Sequence, residues 1–272
     1  MQALPTSTYF LFLEAAAGGT IALLWLHLRG GVSRGFLLFT AWCLLGLQLL
    51  AIWLRGSFPP AVVRGFAPDA LLWFGAERAV CAVLAACLFV FIVSIQRGWA
   101  GLANILAPPL PLLALGALWT SAFVEPNNQI FGFAAPLTVL AGAFALGTAL
   151  TGLSLGHWYL VAPSLAVRPL VEVTFLCLGA IGVQAFLIVV ALVFPGDSVA
   201  NVRVLTSDYS VLFGVRVLFG LIVPAIACVM TWRTARIRSL DSATGILYII
   251  AALVLAGEIV ARTLYFLTGV AV

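Results

Sequence analysis

The sequence predicts an all-α integral membrane protein of about eight transmembrane helices. Of its 272 residues, 64% are hydrophobic and only 8% are charged, whereas a soluble domain carries about 25% charge. The mean hydropathy is +1.21, and since a mid-sized domain buries only about 70% of what its unfolded chain exposes, lipid must cover much of the remainder. The apolar residues also fall in continuous runs of the length, about 20 residues, that carries a helix across the hydrocarbon core. A β-barrel would need alternating strands instead.

Polar breaks place the spans near 8–28, 34–54, 72–95, 102–124, 130–155, 169–194, 209–231 and 243–267. The first lacks the basic start and small-residue cleavage site of a secretory signal, so it is expected to be a retained span. Arg29 and Arg34 bracket the turn into the second, and a longer stretch around 55–71 leads to the third. Pro108, Pro109 and Pro111 interrupt the fourth, while Pro136 and Pro224 fall in the fifth and seventh, so kinks are expected at all three places. Gly142, Gly147, Gly152 and Gly156 on the fifth span, with Gly179 and Gly182 on the sixth, are expected to let neighbouring backbones approach. The likeness of Ala16-Ala17-Gly18-Gly19-Thr20 to Ala145-Leu146-Gly147-Thr148 suggests that the fifth span repeats the first. The chain then reads as one integral membrane domain, 1–272, built of two four-helix bundles, 1–124 and 130–272.

All thirteen basic residues are arginines. Seven of them (Arg29, Arg34, Arg97, Arg168, Arg233, Arg236, Arg238) fall on one side and three (Arg55, Arg64, Arg203) on the other. The positive-inside rule makes the first side cytoplasmic and puts both termini outside. A balance this sparse suits membrane orientation and not nucleic-acid binding.

Ionisable groups in lipid are costly unless paired, which makes the few retained here informative. Glu14, Glu77, Arg78, Arg216, Glu258 and Arg262 are expected in the outer half of the bilayer. Glu258 and Arg262 stand four apart, in the order that suits an ion pair along one helix, and with Arg216 they read as a structural charge network that fixes which helices meet. Glu14 and Glu77 are the candidate proton carriers. Glu172 lies at the inner end of the sixth span beside Arg168, as a surface pair. The five cysteines sit in apolar runs without metal-binding spacing, so no metal site is expected. His27 and His157 share the inner boundary with Trp25, Trp158 and Tyr159, in keeping with an interfacial belt, though a haem held between the two histidines is conceivable from sequence.

The run Leu253-Val254-Leu255-Ala256-Gly257-Glu258-Ile259-Val260-Ala261-Arg262, followed by Tyr265-Phe266 and Gly269, resembles the last span of the membrane-anchor subunits of dimethyl sulfoxide reductase, in the broader polysulfide-reductase-like group. Asp208-Tyr209 leading to Arg216, Ala17-Gly18-Gly19, Gly56-Ser57 and Glu77 extend the similarity in the same order. The resemblance implies a multi-pass subunit of a bacterial inner membrane that docks an iron–sulfur subunit, itself joined to a catalytic oxidoreductase subunit. It also implies exchange of electrons with a quinone such as menaquinone, with no covalent or metal cofactor in this chain. Related anchors often carry a histidine just before the Gly-Ser; here the run is Leu54-Arg55-Gly56-Ser57, and arginine does not accept a proton.

With quinol as the ligand that the resemblance implies, depth and charge make Glu77 the expected proton acceptor, with Glu14 as a second acceptor or exit, and Arg55 or Arg78 the residue to hold a ring oxygen. Electrons would leave toward a partner near the Arg55–Arg64 loop. Two other readings fit the same sequence: a structural membrane subunit without quinone chemistry, or a small transporter or ion-conducting subunit.

Overall fold

The computed structural model describes residues 3–59, 68–124, 134–194 and 199–272. Eight helices are long and apolar enough to cross a membrane, and no strand occurs among the described residues. They are α1 (Ala3–Arg29), α2 (Arg34–Ser57), α3 (Pro68–Arg97), α4 (Ala100–Val124), α5 (Ala134–Val161), α6 (Arg168–Val193), α7 (Ser210–Arg236) and α8 (Leu240–Thr268). A short helix, Val199–Ser207, precedes α7. The chain is thus an all-α, multi-pass membrane protein, and its spans fall close to those read from the apolar runs.

Local chemistry sets several boundaries. Ser33 caps α2 by accepting a hydrogen bond from the Phe36 amide at 3.2 Å. Gly269 ends α8 at φ 74°, where a left-handed residue closes the last turn. The prolines act in three different ways. Pro108 and Pro109 divide α4 into Ala100–Leu106 and Pro109–Val124. Pro136 produces no break, because it occupies the first turn of α5, where its missing N–H is no loss. Pro224 cannot donate to the carbonyl four residues earlier, and the turn just before it, Leu218–Ile222, widens to a π-helix that absorbs the mismatch.

Helices α1 to α4 pack as a ring, each against the next and α4 back against α1; α5 to α8 form a second ring in the same order. α1 and α5 join the two bundles. Buried residues make up 78% and 72% of their central windows, against 28–44% for the other six helices, so these two are the interior of the molecule. Lipid tails are as apolar as leucine, so such an interface must come from close packing of small residues. Gly18 on α1 meets Ala143 on α5, and Gly147 on α5 meets the Gly18–Gly19 backbone, with Ala15, Ala16 and Ala17 buried beside them on α1 and Leu146 on α5. A Cβ on Gly18 would lie 1.8 Å from the Ala143 carbonyl oxygen, and one on Gly147 would lie 2.1 Å from the Gly18 carbonyl carbon. Neither position tolerates a side chain without moving a helix axis.

The other glycines sort by the same test. Gly142, Gly152 and Gly156 abut side chains of α6 and α8, whereas Gly179 and Gly182 have nothing within 4 Å of a would-be Cβ. The expectation that the α6 glycines mediate a helix contact is therefore corrected: Gly179 lines an open, wholly apolar groove with Leu140, Phe144 and Phe186.

The arginine-rich helix ends lie together. His27 of α1 reaches Asn104 of α4 at 3.2 Å, Arg34 of α2 donates to the Gln96 carbonyl of α3, and Arg29 of α1 pairs with Glu172 of α6 at 3.0 Å. Glu172 also holds Arg168 at 2.7 Å, so the expected surface pair has a third member. Gly147→Ala is expected to destabilise the detergent-solubilised protein by about 1–3 kcal/mol, as overpacking does, while Gly182→Ala leaves it unchanged; thermal unfolding of the two variants side by side measures this.

Candidate functional site

Two buried polar clusters occupy the half of the molecule opposite the arginine-rich end, one inside the first bundle and one between the two bundles. In the first, each of the four helices supplies one residue. Tyr9 of α1 donates to Glu77 Oε1 of α3 at 2.6 Å and shares a hydrogen bond with Ser121 of α4 at 2.9 Å. Arg55, near the end of α2, holds both Glu77 oxygens through Nε at 3.1–3.2 Å and pairs with Oε1 through Nη2 at 3.0 Å. The Tyr9 ring lies 4.3 Å beneath the Arg55 guanidinium, adding a cation–π contact.

This placement corrects the sequence reading of Arg55. Counted there among the arginines of a connecting loop, it is 3% exposed and inside the bundle. Its long side chain turns inward because Glu77 is buried one helix away and would otherwise be an uncompensated charge. Expected to act as separate base and ring-holder, Glu77 and Arg55 form one ion pair. Arg78, the next residue on α3, faces out, its guanidinium 5.7 Å from the Phe74 ring, and has no ion-pair partner among the described residues. A narrow cavity of about 10 Å³, lined by Tyr9, Ile52, Arg55, Glu77, Arg78 and Cys81, adjoins the pair. Arg64 lies outside the described residues, and so does the second half of the Arg55–Arg64 stretch.

The second cluster joins the bundles. Arg262 of α8 lies 2.8 Å from Glu14 Oε1 of α1 and 3.5 Å from Glu258 Oε2 on its own helix. Glu258 Oε1 accepts from Arg216 of α7 at 3.3 Å and from Gln184 of α6 at 2.9 Å, and Arg216 donates to the Gln184 side-chain oxygen at 2.6 Å. Arg262 donates to the Thr138 carbonyl of α5. The expected Glu258–Arg262 pair exists, but the shorter contact of Arg262 is to Glu14, across the bundle boundary. Two carboxylates and two guanidiniums balance, and all four side chains are at most 4% exposed. Glu14 Oε2 has no hydrogen-bond partner among the described residues.

Glycines make room for this network. A Cβ at Gly142 would sit 2.5 Å from Glu258 Oε2, and Gly220 and Gly257 bring α7 and α8 together beside the Arg216 guanidinium. Gly220 belongs to the π-turn, which begins two residues after Arg216, so the local widening lies where the charged side chain is seated.

Tyr9, Ser121 and Gln184 went unnoticed in the sequence. Gln184 carried a signal, being a polar residue in the middle of an otherwise apolar run; Tyr9 and Ser121 carried none, since both are ordinary residues of apolar helices. Among the described residues no three His, Cys, Asp or Glu side chains converge as a metal site would require. His27 and His157 engage different helices, Asn104 of α4 and Tyr248 of α8.

No family model matches the chain, and no curated protein is significantly similar to it.

Removing one member of a buried pair strands the other, a loss of about 3–5 kcal/mol. Arg262→Met is expected to destabilise to that extent, and to do so less in a Glu14→Gln background. A double-mutant cycle of unfolding in mild detergent measures the coupling; additive losses would mean that the two side chains do not interact.

Proposed function

We propose that the chain is the membrane-embedded subunit of an oxidoreductase complex in a bacterial inner membrane, oxidising quinol near the outer leaflet and passing electrons to an iron–sulfur subunit. The observation that carries this reading is the Tyr9–Glu77–Arg55–Ser121 cluster with Arg78, which has no ion-pair partner among the described residues, beside it. Its resemblance to the dimethyl sulfoxide reductase anchors supports the same assignment.

Quinol oxidation releases two protons and two electrons, so the site needs a proton acceptor, a donor for the ring oxygens and a way out for each product. Arg78 donates a hydrogen bond to one ring oxygen from the lipid-facing side. Glu77 takes a proton from a ring hydroxyl, and neutralising it loosens its hold on Arg55, whose guanidinium then serves the oxygen that has lost its proton. Tyr9, already bonded to both Glu77 and Ser121, offers a hydroxyl relay inward. Glu14 lies five residues further along α1, about 7.5 Å by helical rise, and with Oε2 unpartnered among the described residues it is the second acceptor or exit. The electrons pass to the iron–sulfur partner on the outer face, which with its catalytic subunit carries the redox centres.

The pairing of Glu14, Glu77 and Glu258 with arginine favours a second reading, a structural subunit whose charges only register helices. Gentle purification of the tagged chain separates the two: an iron–sulfur protein and extractable quinone support the first, while redox partners without quinone sensitivity favour the second. In the purified complex, Glu77→Gln is expected to slow quinol-dependent electron transfer by about 10²–10⁴-fold, the usual worth of a positioned base. Arg78→Ala, which breaks no buried pair, should raise the quinol concentration needed for half-maximal rate. Wild-type turnover in both variants would sink the assignment.

A further inference from the structure

A cavity with several hydroxyls on its wall lies toward the helix ends opposite the two charge clusters. A groove of about 550 Å³ opens between α2, α5 and α8 at the arginine-rich end, within the size range of ligand pockets. Its walls are apolar and aromatic, Phe39 of α2 and Trp158 of α5 among them. Thr40 and Ser154, hydrogen-bonded to each other at 3.0 Å, and Thr151 lie along it, and His157 stands with Tyr248 at 3.4 Å near its inner end. No charged side chain lines it.

Three features separate this groove from a seat for acyl chains. The comparable groove on α5 and α6, lined by Leu137, Phe144 and Phe186, has no polar side chain at all. Buried threonines elsewhere in these helices satisfy their hydroxyls on the carbonyl four residues back, as Thr20, Thr120, Thr148, Thr174 and Thr231 do. Thr151 does not; it is 1% exposed and its hydroxyl has no partner among the described residues. A buried hydroxyl without a partner costs about 1–3 kcal/mol, a cost that a ligand oxygen relieves. Finally, Thr151, Ser154 and His157 recur every three residues along α5 and all line the groove, Thr151 and His157 about 9 Å apart by helical rise. Polar side chains thus stand at two depths of the groove, as the two oxygens of a quinone ring require.

We propose that this groove binds a second, uncharged prenyl-tailed quinone at the inner leaflet, its ring between Phe39 and Trp158, one oxygen toward Thr151 and Ser154 and the other toward His157 and Tyr248. The identity of the ligand rests on the quinol reading above; the geometry of the groove does not. The absence of a lining cation disfavours an anionic phospholipid head.

The test is photolabelling of the intact chain in phosphatidylcholine nanodiscs with a short-tailed azidobenzoquinone, the adducts being mapped by peptide mass spectrometry. Labelling of residues 39–47 and 150–161 that excess unlabelled quinone suppresses is expected, and Thr151→Val or His157→Phe should lower it about tenfold while leaving any labelling near Arg78 intact. Labelling confined to the Arg78 region overturns the groove and spares the outer site; labelling confined to the groove supports it and sinks the outer assignment. Groove adducts displaced by excess phospholipid but not by quinone mark a lipid seat only and overturn the proposal, as does a lack of adducts at either place.

Discussion

The backbone contact of Gly18 with Gly147 is the constraint on which the rest of the structure depends. With no hydrophobic driving force between helices in lipid, two bundles stay joined only where backbones approach closely enough for dispersion and van der Waals packing to accumulate. α1 and α5 meet that condition through Gly18 and Gly147, with Ala143 against the first. Their approach also decides the electrostatics. Glu14 reaches Arg262 because α1 lies against the second bundle, and Tyr9, on another face of the same helix, completes the cluster of the first. One helix therefore serves both polar centres.

A second regularity follows from desolvation. Charges in the interior persist only when neutralised at close range, and here each bundle places carboxylate against guanidinium on different helices. Such pairs specify which helices meet and at what rotation, a role that uniform leucine packing cannot perform. The network around Arg216 adds a conformational element: the π-turn before Pro224 rotates the first part of α7 relative to the second, and Gly220 and Gly257 admit the guanidinium between α7 and α8. π-Turns of this kind are frequent at functional sites. Their carbonyl geometry is also more readily rearranged than that of an ideal helix.

Polarity is distributed unevenly between the two halves. One half holds charged residues in buried clusters, whereas the other holds hydroxyls and a histidine along an open groove and arginines at the helix ends. Continuous charge from face to face, as an ion pathway would require, is missing from the described residues.

Span number, approximate limits, the arginine-rich helix ends and five of the buried charges (Glu14, Glu77, Arg216, Glu258 and Arg262) were legible in the sequence, because hydrophobic length and composition are properties read along the chain. Their cost in lipid and their spacing of four on one helix placed attention on Glu258 and Arg262, and these do belong to a network. Which partner each charge takes was not legible. Helices that are apolar on every side carry little periodic signal for their own rotation, and half a turn separates a lipid-facing residue from a buried one. Thus Arg55 looked like a loop residue and is interior, Gly147 and Gly179 looked alike and only the first meets a backbone, and the pairing of Arg262 with Glu14 joins residues from opposite ends of the chain. Those outcomes belong to helix crossing and rotation, which the tertiary packing alone sets.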